Sequence, residues 1–386
     1  MAATTEPTRR VLIVSSFVLP RGGGVEQFVG IAASLLRGHG CTVRVLACRP
    51  LDGEAQADAT VPTRYLRAGG WPLPVGGWRT VWREVGSADV VVANGTRHLL
   101  PSVAALVGRA RGKKVIFVLH GSGAPFTTSS FLYHRVLGSI FERLVSRPAL
   151  RLSQPVSLSL AGLTGARRRY GVAATYLPYP LRELPPAPRR TLAEEEPLRI
   201  VWVGRLYGEK NPLAAVEVVE RVRQRRDATL EFYGTGYLCE QLEQLARERS
   251  WLAVRGGRSW EEIQDVQAAA HVCLSTSLRD ATQLTVLEPL ARGIPVVSTR
   301  VGDARSYYNR SLQSCCVEPR DPEAASEAIL AIACSYERHR ERFAANAREL
   351  VRRHRLGGER LSSLVEAATT ANGAAAAPGQ TELPVT

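Results

Sequence analysis

The feature that most limits the fold of this chain is the stretch from Ser275 to Asp303 with the run from Val272 that leads into it, in which two apolar runs flank a short amphipathic segment. Val272 to Ser275 and Pro295 to Thr299 have the length and composition of buried strands, and about Leu284 to Arg292 has the spacing of a helix. Strand, helix and strand in this order predict a βαβ unit with parallel strands. In an open sheet of this kind ligands bind beyond the carboxyl ends of the strands, so the polar residues before the helix are candidate site residues.

Two acidic residues lie in this region. Asp280 precedes the predicted helix, and Glu288, eight residues later, lies on it. Carboxylates accept hydrogen bonds from sugar hydroxyls, and the free N–H groups of a helix N-terminus bind anions. The pattern therefore predicts a site for a diphosphate that carries a sugar. The spacing alone fits equally well a structural explanation, in which Asp280 only caps the helix and Glu288 is a solvated surface residue.

Two further loops in the second half follow predicted strands. The strand from Leu198 to Val203 leads into GRLYGEKNP, where Arg205 and Lys210 offer two cations to a diphosphate. The strand from Thr229 to Tyr233 leads into Gly234-Thr235-Gly236. Surface charges on a turn explain the first loop without a ligand, and an ordinary tight turn explains the second.

The first half shows the same alternation of strands and helices. A strand from Val11 to Ser16 opens into RGGGVEQF, whose glycines allow the backbone to approach a ligand closely, and a helix from Val25 to Leu36 follows. His120 ends a strand-like run, so we expect it at the carboxyl edge of the sheet, although a plain hydrogen-bonded histidine is the alternative. Leu66 to Trp82 is expected to be an exposed loop, with tryptophans that line an acceptor or membrane-facing surface or else pack inside.

Residues 280 to 297 resemble the signature of the retaining nucleotide-sugar glycosyltransferases of the GT-B fold, in the fourth glycosyltransferase family. The family pattern is E-x7-E within a run like E-G-F-G-L-x-x-L-E-A-x-A-x-G-x-P-V-V. The residues that match it here are Asp280, Leu284, Leu287, Glu288, Ala291, Gly293, Pro295, Val296 and Val297. Asp280 is one methylene shorter than the family's glutamate, and Ala281-Thr282-Gln283 replaces the G-F-G-type loop. The resemblance therefore predicts nucleotide binding more strongly than it predicts which sugar is bound.

The resemblance implies an α/β chain of GT-B architecture, with two Rossmann-like, doubly wound parallel-sheet domains facing a central cleft. It also implies a retaining glycosyltransferase, which moves a sugar from a nucleotide-diphosphate sugar to an acceptor hydroxyl. Family motifs assign the roles by position: G-G-x-E to the first glycine loop, His-Gly to 120–121 and G-R-x-x-x-x-K to 204–210. The implied catalytic residues are His120, Arg205, Lys210 and Asp280, and the implied donor-binding residues are Gly23, Gly24, Glu26, Gly234, Gly236, Leu284, Thr285 and Glu288.

No D-x-D sequence occurs in the chain, so the usual pair of aspartates that chelates a divalent metal is missing. We expect no metal and no cofactor other than the nucleotide-sugar co-substrate. Arg205, Lys210 and the amides near Leu284 and Thr285 would neutralise the diphosphate instead. The seven cysteines are scattered without a C-x-x-C pair, which indicates neither a zinc site nor a disulfide framework.

The chain is long enough for two domains. We expect a basic, acceptor-side N-terminal domain at 1–180, a proline-rich linker at 181–197 and a nucleotide-sugar-binding domain at 198–355. A terminal helix at 356–371 is expected to cross back to the first domain, and the tail at 372–386 is expected to be disordered.

The excess positive charge lies entirely in the first half of the chain. Residues 1–185 contain 23 Lys and Arg against 9 Asp and Glu, whereas residues 186–386 contain 27 of each. Such a domain suits an anionic membrane surface with a lipid-linked acceptor, and it also suits a nucleic acid or a soluble acidic acceptor. An arginine-rich composition without functional meaning is a further explanation. The half lacks RNP, KH and helix-turn-helix patterns, so a nucleic acid is not an expected partner.

The chain has no apolar leader and no apolar run of membrane-spanning length, so we expect it in the cytoplasm or peripherally on the inner face of the plasma membrane. Its products would be glycolipids, cell-surface polysaccharides or glycosylated metabolites. Two other functions are left open. A nucleotide-sugar epimerase of the same fold would turn over the donor without an acceptor. A degenerate protein that only binds a nucleotide sugar or a nucleic acid is the other, because the sugar loop departs from the family pattern.

Overall fold

The computed structural model describes residues 9–18, 23–50, 54–66, 71–121 and 132–370, which form two parallel β-sheets and a small hairpin. The seven strands of the first sheet lie in the order β3-β2-β1-β6-β7-β8-β9 and are all parallel. Their bounds are β1 (Arg10–Ser15), β2 (Thr42–Cys48), β3 (Ala59–Val61), β6 (Val90–Asn94), β7 (Lys114–Leu119), β8 (Gln154–Ser157) and β9 (Thr175–Tyr176).

Helices cover both faces of this sheet. Val11 and Ile13 of β1 belong to one buried cluster, whereas Leu12 and Val14 belong to another on the opposite face. This alternation is the period of two expected of a strand that is buried on both sides. The helices of this half are α1 (Gly24–Gly38), α2 (Trp78–Ser87), α3 (Leu99–Ala110), α4 (Leu132–Phe141), α5 (Arg147–Arg151) and α6 (Leu160–Gly165), with π-helical turns at Glu142–Ser146 and Ala166–Tyr170.

The second sheet has six parallel strands in the order β12-β11-β10-β13-β14-β15. Their bounds are β10 (Leu198–Val203), β11 (Ala228–Tyr233), β12 (Leu252–Val254), β13 (Val272–Ser275), β14 (Val296–Thr299) and β15 (Cys316–Val317). The helices are α7 (Pro212–Arg223), α8 (Cys239–Glu248), α9 (Trp260–Ala268), α10 (Leu284–Ala291) and α11 (Pro322–Cys334). The expected fold class, two Rossmann-like parallel-sheet domains, is thereby confirmed.

The last helix, α12 (Tyr336–Thr370), joins the two halves. Its Phe343 and Leu350 belong to the core of the second sheet, and its Leu361 and Val365 belong to a core of the first. The helix is continuous, so no separate helix begins at 356. The segment at Pro178 can pass close to the helix at Gly357 because glycine has no side chain. A Cβ at this position would lie 2.0 Å from the carbonyl oxygen of Pro178. The predicted tail at 372–386 lies outside the described residues.

The expectation of an exposed loop from Leu66 to Trp82 is wrong. Strands β4 (Thr63–Leu66) and β5 (Trp71–Pro74) pair as an antiparallel hairpin, and α2 begins at Trp78. Proline and glycine favour a loop, but both prolines of β5 lie in a two-stranded ribbon, where a strand can lack N–H donors on its outer edge. Trp78 and Trp82 are exposed on α2. The domain limits at 180 and 198 stay predictions; between β9 and β10 the chain has no helix or strand.

Candidate active site

The loops after β10 and β13 bring two of the predicted catalytic residues together. These strands are neighbours in the second sheet, with Trp202 opposite Leu274, so their carboxyl ends lie side by side. Lys210 Nζ forms an ion pair with Asp280 Oδ2, and both side chains are less than a fifth exposed. The other oxygen of Asp280 accepts from the N–H of Ala281 at 3.0 Å. A cation and an anion thus face each other at the edge of the sheet.

Asp280 does not cap α10. The helix begins at Leu284, and Gln283 occupies the position before it without a capping side-chain hydrogen bond. Instead, the buried amide of Gln283 accepts from Ser275 Oγ at 2.9 Å and donates to the Val301 carbonyl at 3.2 Å. The loop of three residues that departs from the family pattern is therefore held by the protein itself. The capping explanation for Asp280 is wrong.

Arg205 has a different environment from Lys210. Its side chain is 59% exposed and pairs with Glu209 at 2.6 Å. The guanidinium also lies over the ring of Tyr207, 5.4 Å from its centroid. Because an exposed ion pair contributes little to stability, Arg205 can exchange Glu209 for another anion at small cost.

Glu288 is buried, which contradicts the solvated-surface explanation. It is 7% exposed, and its two oxygens accept from Trp260 Nε1 at 3.2 Å and from Gln264 Nε2 at 2.9 Å. Burial raises the pKa of this carboxyl, while the two N–H donors oppose the rise. Two side chains of helix α9 therefore fix the orientation of the Glu288 carboxylate. Each of its oxygens retains a second lone pair that can accept from another donor.

The N-termini of α1 and α10 face each other across the cleft. A Cβ on Gly24 would lie 3.7 Å from Leu284 Cδ1, so the first turns of the two helices are within contact distance. Tyr179 Oη donates to the Gly24 carbonyl at 2.8 Å. Next to it, the Glu26 carboxylate folds back over Gly23, where a Cβ would lie 2.5 Å from Glu26 Oε2. The predicted donor-binding residues of the two domains, including Thr285, thus lie on both sides of one cleft.

His120 lies at the carboxyl edge of the first sheet, as predicted, and Asn94 holds it. Its Nε2 donates to Asn94 Oδ1 at 2.6 Å, while Asn94 Nδ2 donates to Ser15 Oγ at 3.2 Å and to the Val25 carbonyl at 3.3 Å. Removal from water lowers the pKa of His120 to about 3, and nearby His98 contributes to the lowering. The imidazole is therefore neutral near pH 7, with Nδ1 left as its acceptor.

Gly234 and Gly236 have a packing role. Gly234 has a φ of 148°, and a Cβ on it would lie 1.8 Å from the Gly204 carbonyl oxygen. A Cβ on Gly236 would lie 2.3 Å from the carbonyl oxygen of Leu206. The loop after β11 therefore packs directly on the loop that carries Arg205. Whether these glycines also contact a nucleotide stays a prediction.

The two domains touch beside the Lys210–Asp280 pair. Gly121 has a φ of 115°, and a Cβ on it would lie 2.4 Å from the Ala281 Cβ. The carboxylate of Asp303 accepts from the N–H groups of Leu160 and Ala161 at 2.9 and 3.2 Å, at the start of α6 in the other domain. Burial raises the pKa of Asp303, against these N–H donors. The cleft is thus closed on this side by a direct contact.

Sequence reasoning missed Asn94, Trp260, Gln264 and Asp303. Asn94 had a signal, because it is the one polar residue at the end of the apolar strand β6, at the same sheet edge as His120. Gln264 and Trp260 had none, since they act from a helix that is distant in sequence from Glu288. For Asp303 the only signal in the sequence was its position just after the strand that follows the acidic motif.

Among the described residues, no group of three or more His, Cys, Asp or Glu is close enough together to hold a metal ion. In the same part of the chain, no helix is both long and apolar enough to span a membrane.

Residues 197–335 match the family model described as glycosyl transferases group 1. A subunit of phosphatidylinositol N-acetylglucosaminyltransferase from Arabidopsis thaliana is 26% identical over 322 residues, which cover 77% of this chain and 68% of that protein. The putative teichuronic acid biosynthesis glycosyltransferase TuaC from Bacillus subtilis is 29% identical over 129 residues, 33% of this chain and 31% of TuaC. This chain therefore matches only about a third of the length of TuaC.

Solved structures resemble the whole chain. A glycosyltransferase from Rickettsia africae superposes with a TM-score of 0.70 at 15% identity, covering 95% of this chain and 100% of that one. HepE of Anabaena in complex with UDP-glucose gives a TM-score of 0.64 at 15% identity, covering 94% and 99%. At these identities the likeness shows the fold, which is GT-B. The chain therefore has the GT-B fold, and within it residues 197–335, less than half of the chain, match the glycosyl transferases group 1 family model.

Proposed function

We propose that this protein is a retaining glycosyltransferase that moves a sugar from a nucleotide-diphosphate sugar to an acceptor hydroxyl without a metal ion. The observation that carries the proposal is the Lys210–Asp280 ion pair at the adjoining ends of β10 and β13, beside the N-terminus of α10. A lysine suits a phosphate and a carboxylate suits sugar hydroxyls, so a bound donor would satisfy both groups in place of their mutual contact.

The leaving diphosphate would be neutralised by protein cations and amides. Lys210 supplies a part-buried charge, exposed Arg205 would turn from Glu209 to a phosphate, and the N–H groups of Leu284 and Thr285 open α10. Charge that develops on the leaving group is stabilised best by groups that are already in place. The structure of HepE in complex with UDP-glucose supports a nucleotide sugar as the donor.

In the transfer step the bond between the anomeric carbon and the phosphate oxygen breaks, and a bond from the acceptor oxygen to the same carbon forms on the same face. The acceptor's proton passes to the departing phosphate oxygen, so the configuration is retained and no protein nucleophile is required. Neutral His120 would accept a hydrogen bond from a sugar hydroxyl through Nδ1, since Asn94 holds its Nε2–H. Asp280 would accept from other sugar hydroxyls, and Glu288 from the ribose hydroxyls through its remaining lone pairs.

The acceptor would bind on the side of the first domain. A cavity of about 480 Å³ runs along one face of α1 from Glu26 to Arg37, and its walls are Val18, Val29, Gly30, Ala33, Val45 and the segment from Ala55 to Asp58. Glu26 is 7% exposed and lies at the cleft end of this cavity. Two relatives, named as a subunit of phosphatidylinositol N-acetylglucosaminyltransferase and as a putative teichuronic acid biosynthesis glycosyltransferase, support a lipid-linked or cell-surface polysaccharide acceptor, and with it a cytoplasmic, membrane-peripheral location.

The proposal is tested by thermal unfolding with a panel of UDP, GDP, ADP and dTDP and their sugars, with and without EDTA. A ligand of the folded state at a hundredfold excess over Kd stabilises by about 2.7 kcal/mol. We expect one nucleotide series to raise the Tm equally in both conditions, and the Lys210→Ala variant to lose that rise. Absence of any rise would exclude a donor site, and a rise that EDTA removes would exclude metal independence.

Product analysis separates the remaining alternatives. Turnover of the stabilising donor without an acceptor, to an epimeric donor sugar, would identify an epimerase. Donor binding without turnover on any acceptor would identify a protein that only binds nucleotide sugars. We expect transfer of the sugar to an acceptor. NMR of the product should then show that the anomeric configuration of the donor is retained.

A further inference from the structure

An exposed apolar stripe runs along the helical rod formed by α4 and the π-helical turn after it. Val136, Leu137, Ile140 and Leu144 are 50, 62, 49 and 66% exposed. Residues three and four apart share one face of a helix, so these four side chains form one continuous stripe. Single exposed apolar residues are common on protein surfaces, but an ordered stripe on one helix face indicates a partner.

The surroundings of the stripe are strongly basic. Exposed or half-exposed arginines lie on α4, on the π-helical turn after it, on α5 and on the second π-helical turn, which Arg169 joins to Glu142: Arg135, Arg143, Arg147, Arg151, Arg167 and Arg168. Within the described residues, none of these six guanidinium groups forms an ion pair. Glu142 is the one acidic residue between Asp89 and Glu183, and it is paired with Arg169. The charge around the stripe is therefore uncompensated.

Apolar side chains lined by cations match the surface of an anionic bilayer. A helix of this kind lies in the plane of the interface, with its apolar face about 5–10 Å deep and its basic residues at the phosphates. A nucleic acid would use the arginines but would leave four apolar side chains in contact with water. We infer that the stripe Val136–Leu137–Ile140–Leu144, with its flanking arginines, docks this protein on a membrane that contains anionic lipid.

The fold connects this surface directly to the cleft. Ser146, at the end of the π-helical turn, donates through Oγ to the carbonyl of Thr96 at 2.8 Å. Thr96 follows β6, whose last residue, Asn94, holds His120. A bilayer at the stripe would therefore lie near the carboxyl edge of the first sheet. This last point rests on the proposed function, because only a lipid-linked acceptor needs the cleft to be near the membrane.

The experiment compares the binding of the full chain to vesicles of phosphatidylcholine alone and of phosphatidylcholine with an equal share of phosphatidylglycerol, by co-sedimentation. The test variant is Leu137→Glu/Leu144→Glu. The matched control is Val351→Glu/Leu356→Glu, two exposed apolar residues on α12 that are 45 and 44% exposed. Both variants change the net charge by the same amount, so a general charge effect cannot distinguish them.

We expect the wild type to bind the anionic vesicles and to be released by high salt, the test variant to bind at least tenfold more weakly, and the control to bind like the wild type. Equal binding of the test variant and the control, or no vesicle binding by the wild type, would overturn the inference. So would a wild-type dimer in solution that the test variant abolishes while vesicles are not bound, since the stripe would then face a second copy.

Thermal shifts with nucleotides on the same samples separate this inference from the proposed function. Vesicle binding without any nucleotide shift would remove the glycosyltransferase proposal and leave the docking surface in place. An unchanged nucleotide shift in the test variant also shows that it is folded, so its loss of vesicle binding is not a loss of structure.

Discussion

The two domains share one architecture but divide charge and exposed apolar surface unequally. Of the fourteen large apolar side chains that are exposed in the described part of the chain, ten lie before residue 181. The same half has the whole excess of positive charge, whereas 186–386 has equal numbers of acidic and basic residues. The family match lies in the neutral half. This division is what the proposals above require, in which one Rossmann-like domain binds a small donor and the other meets a larger partner.

The largest effect is expected at the ion pair of the neutral domain. Lys210→Ala removes a charge-assisted contact to the leaving group, so we expect kcat/KM to fall by about 100-fold or more. Arg225→Ala is the matched control, because Arg225 belongs to an exposed ion pair with Glu327 in the same domain and lies just before the amino end of β11. Steady-state kinetics with the donor found by thermal shift measure both. Near-normal turnover of Lys210→Ala would contradict the assignment of donor chemistry to this domain.

The second domain can be predicted in detail because its site is local in sequence. Arg205 and Lys210 follow one strand, Asp280 and Glu288 follow the neighbouring one, and parallel strands bring these loops together without further information. The orientation of the groups could not be predicted. Trp260 and Gln264 reach Glu288 from α9, and Asp303 reaches α6 across the cleft, so these contacts depend on how whole elements pack.

The first domain is harder to predict because its functional signals are single residues. The place of His120 at a strand end predicts it as a candidate, but its tautomer and ring orientation depend on Asn94, which is 26 residues away. The hairpin of β4 and β5 and helix α2 escape prediction, since the proline and glycine content before Trp78 hides both the strand pairing and the helical pattern that follows. The exposed stripe on α4 has ordinary helical spacing in the sequence, and only the packed structure shows that it faces outward.

A smaller effect is expected where the first domain reaches the donor. Asn94→Ala removes the acceptor that holds His120 Nε2–H, and misplacement of a contacting group costs up to about 100-fold in rate. We expect kcat to fall more than the donor KM rises, because the contacts proposed for the diphosphate and the ribose lie in the other domain. Asn94→Asp keeps an acceptor but puts a carboxylate beside the imidazole, which should raise the pKa of His120 and shift the acid limb of the pH–rate profile upward. An unchanged profile in both variants would mean that Asn94 is only structural.

The proposed binding of the acceptor by the first domain can be tested by filling the cavity along α1. Gly30→Leu places a side chain in the cavity without disturbing the helix, since leucine has a better helix propensity than glycine. We expect the KM for an alkyl glycoside acceptor to rise about tenfold, which corresponds to about 1.4 kcal/mol, while the donor KM is unchanged. Gly38→Leu, near the end of the same helix and with open space around its Cβ position, is the control. A rise in donor KM alone would place the donor, not the acceptor, in this cavity.

The smallest effect is expected where α12 joins the two domains. His354 is 2% exposed, donates from Nδ1 to the Tyr179 carbonyl at 2.7 Å and has Nε2 buried without a partner among the described residues. Burial lowers its pKa to about 4, so between about pH 6.5 and 4 the unfolded chain binds a proton that the folded chain does not. The contribution of neutral His354 to the free energy of unfolding is therefore lost as the pH falls, at up to about 1.4 kcal/mol per pH unit. His354→Gln should reduce the fall in unfolding free energy between pH 7 and 5, measured by urea denaturation, by about 1–2 kcal/mol relative to the wild type. Equal slopes in the two proteins would mean that the joint between the domains opens before the chain unfolds, so that His354 is already protonated in the folded state.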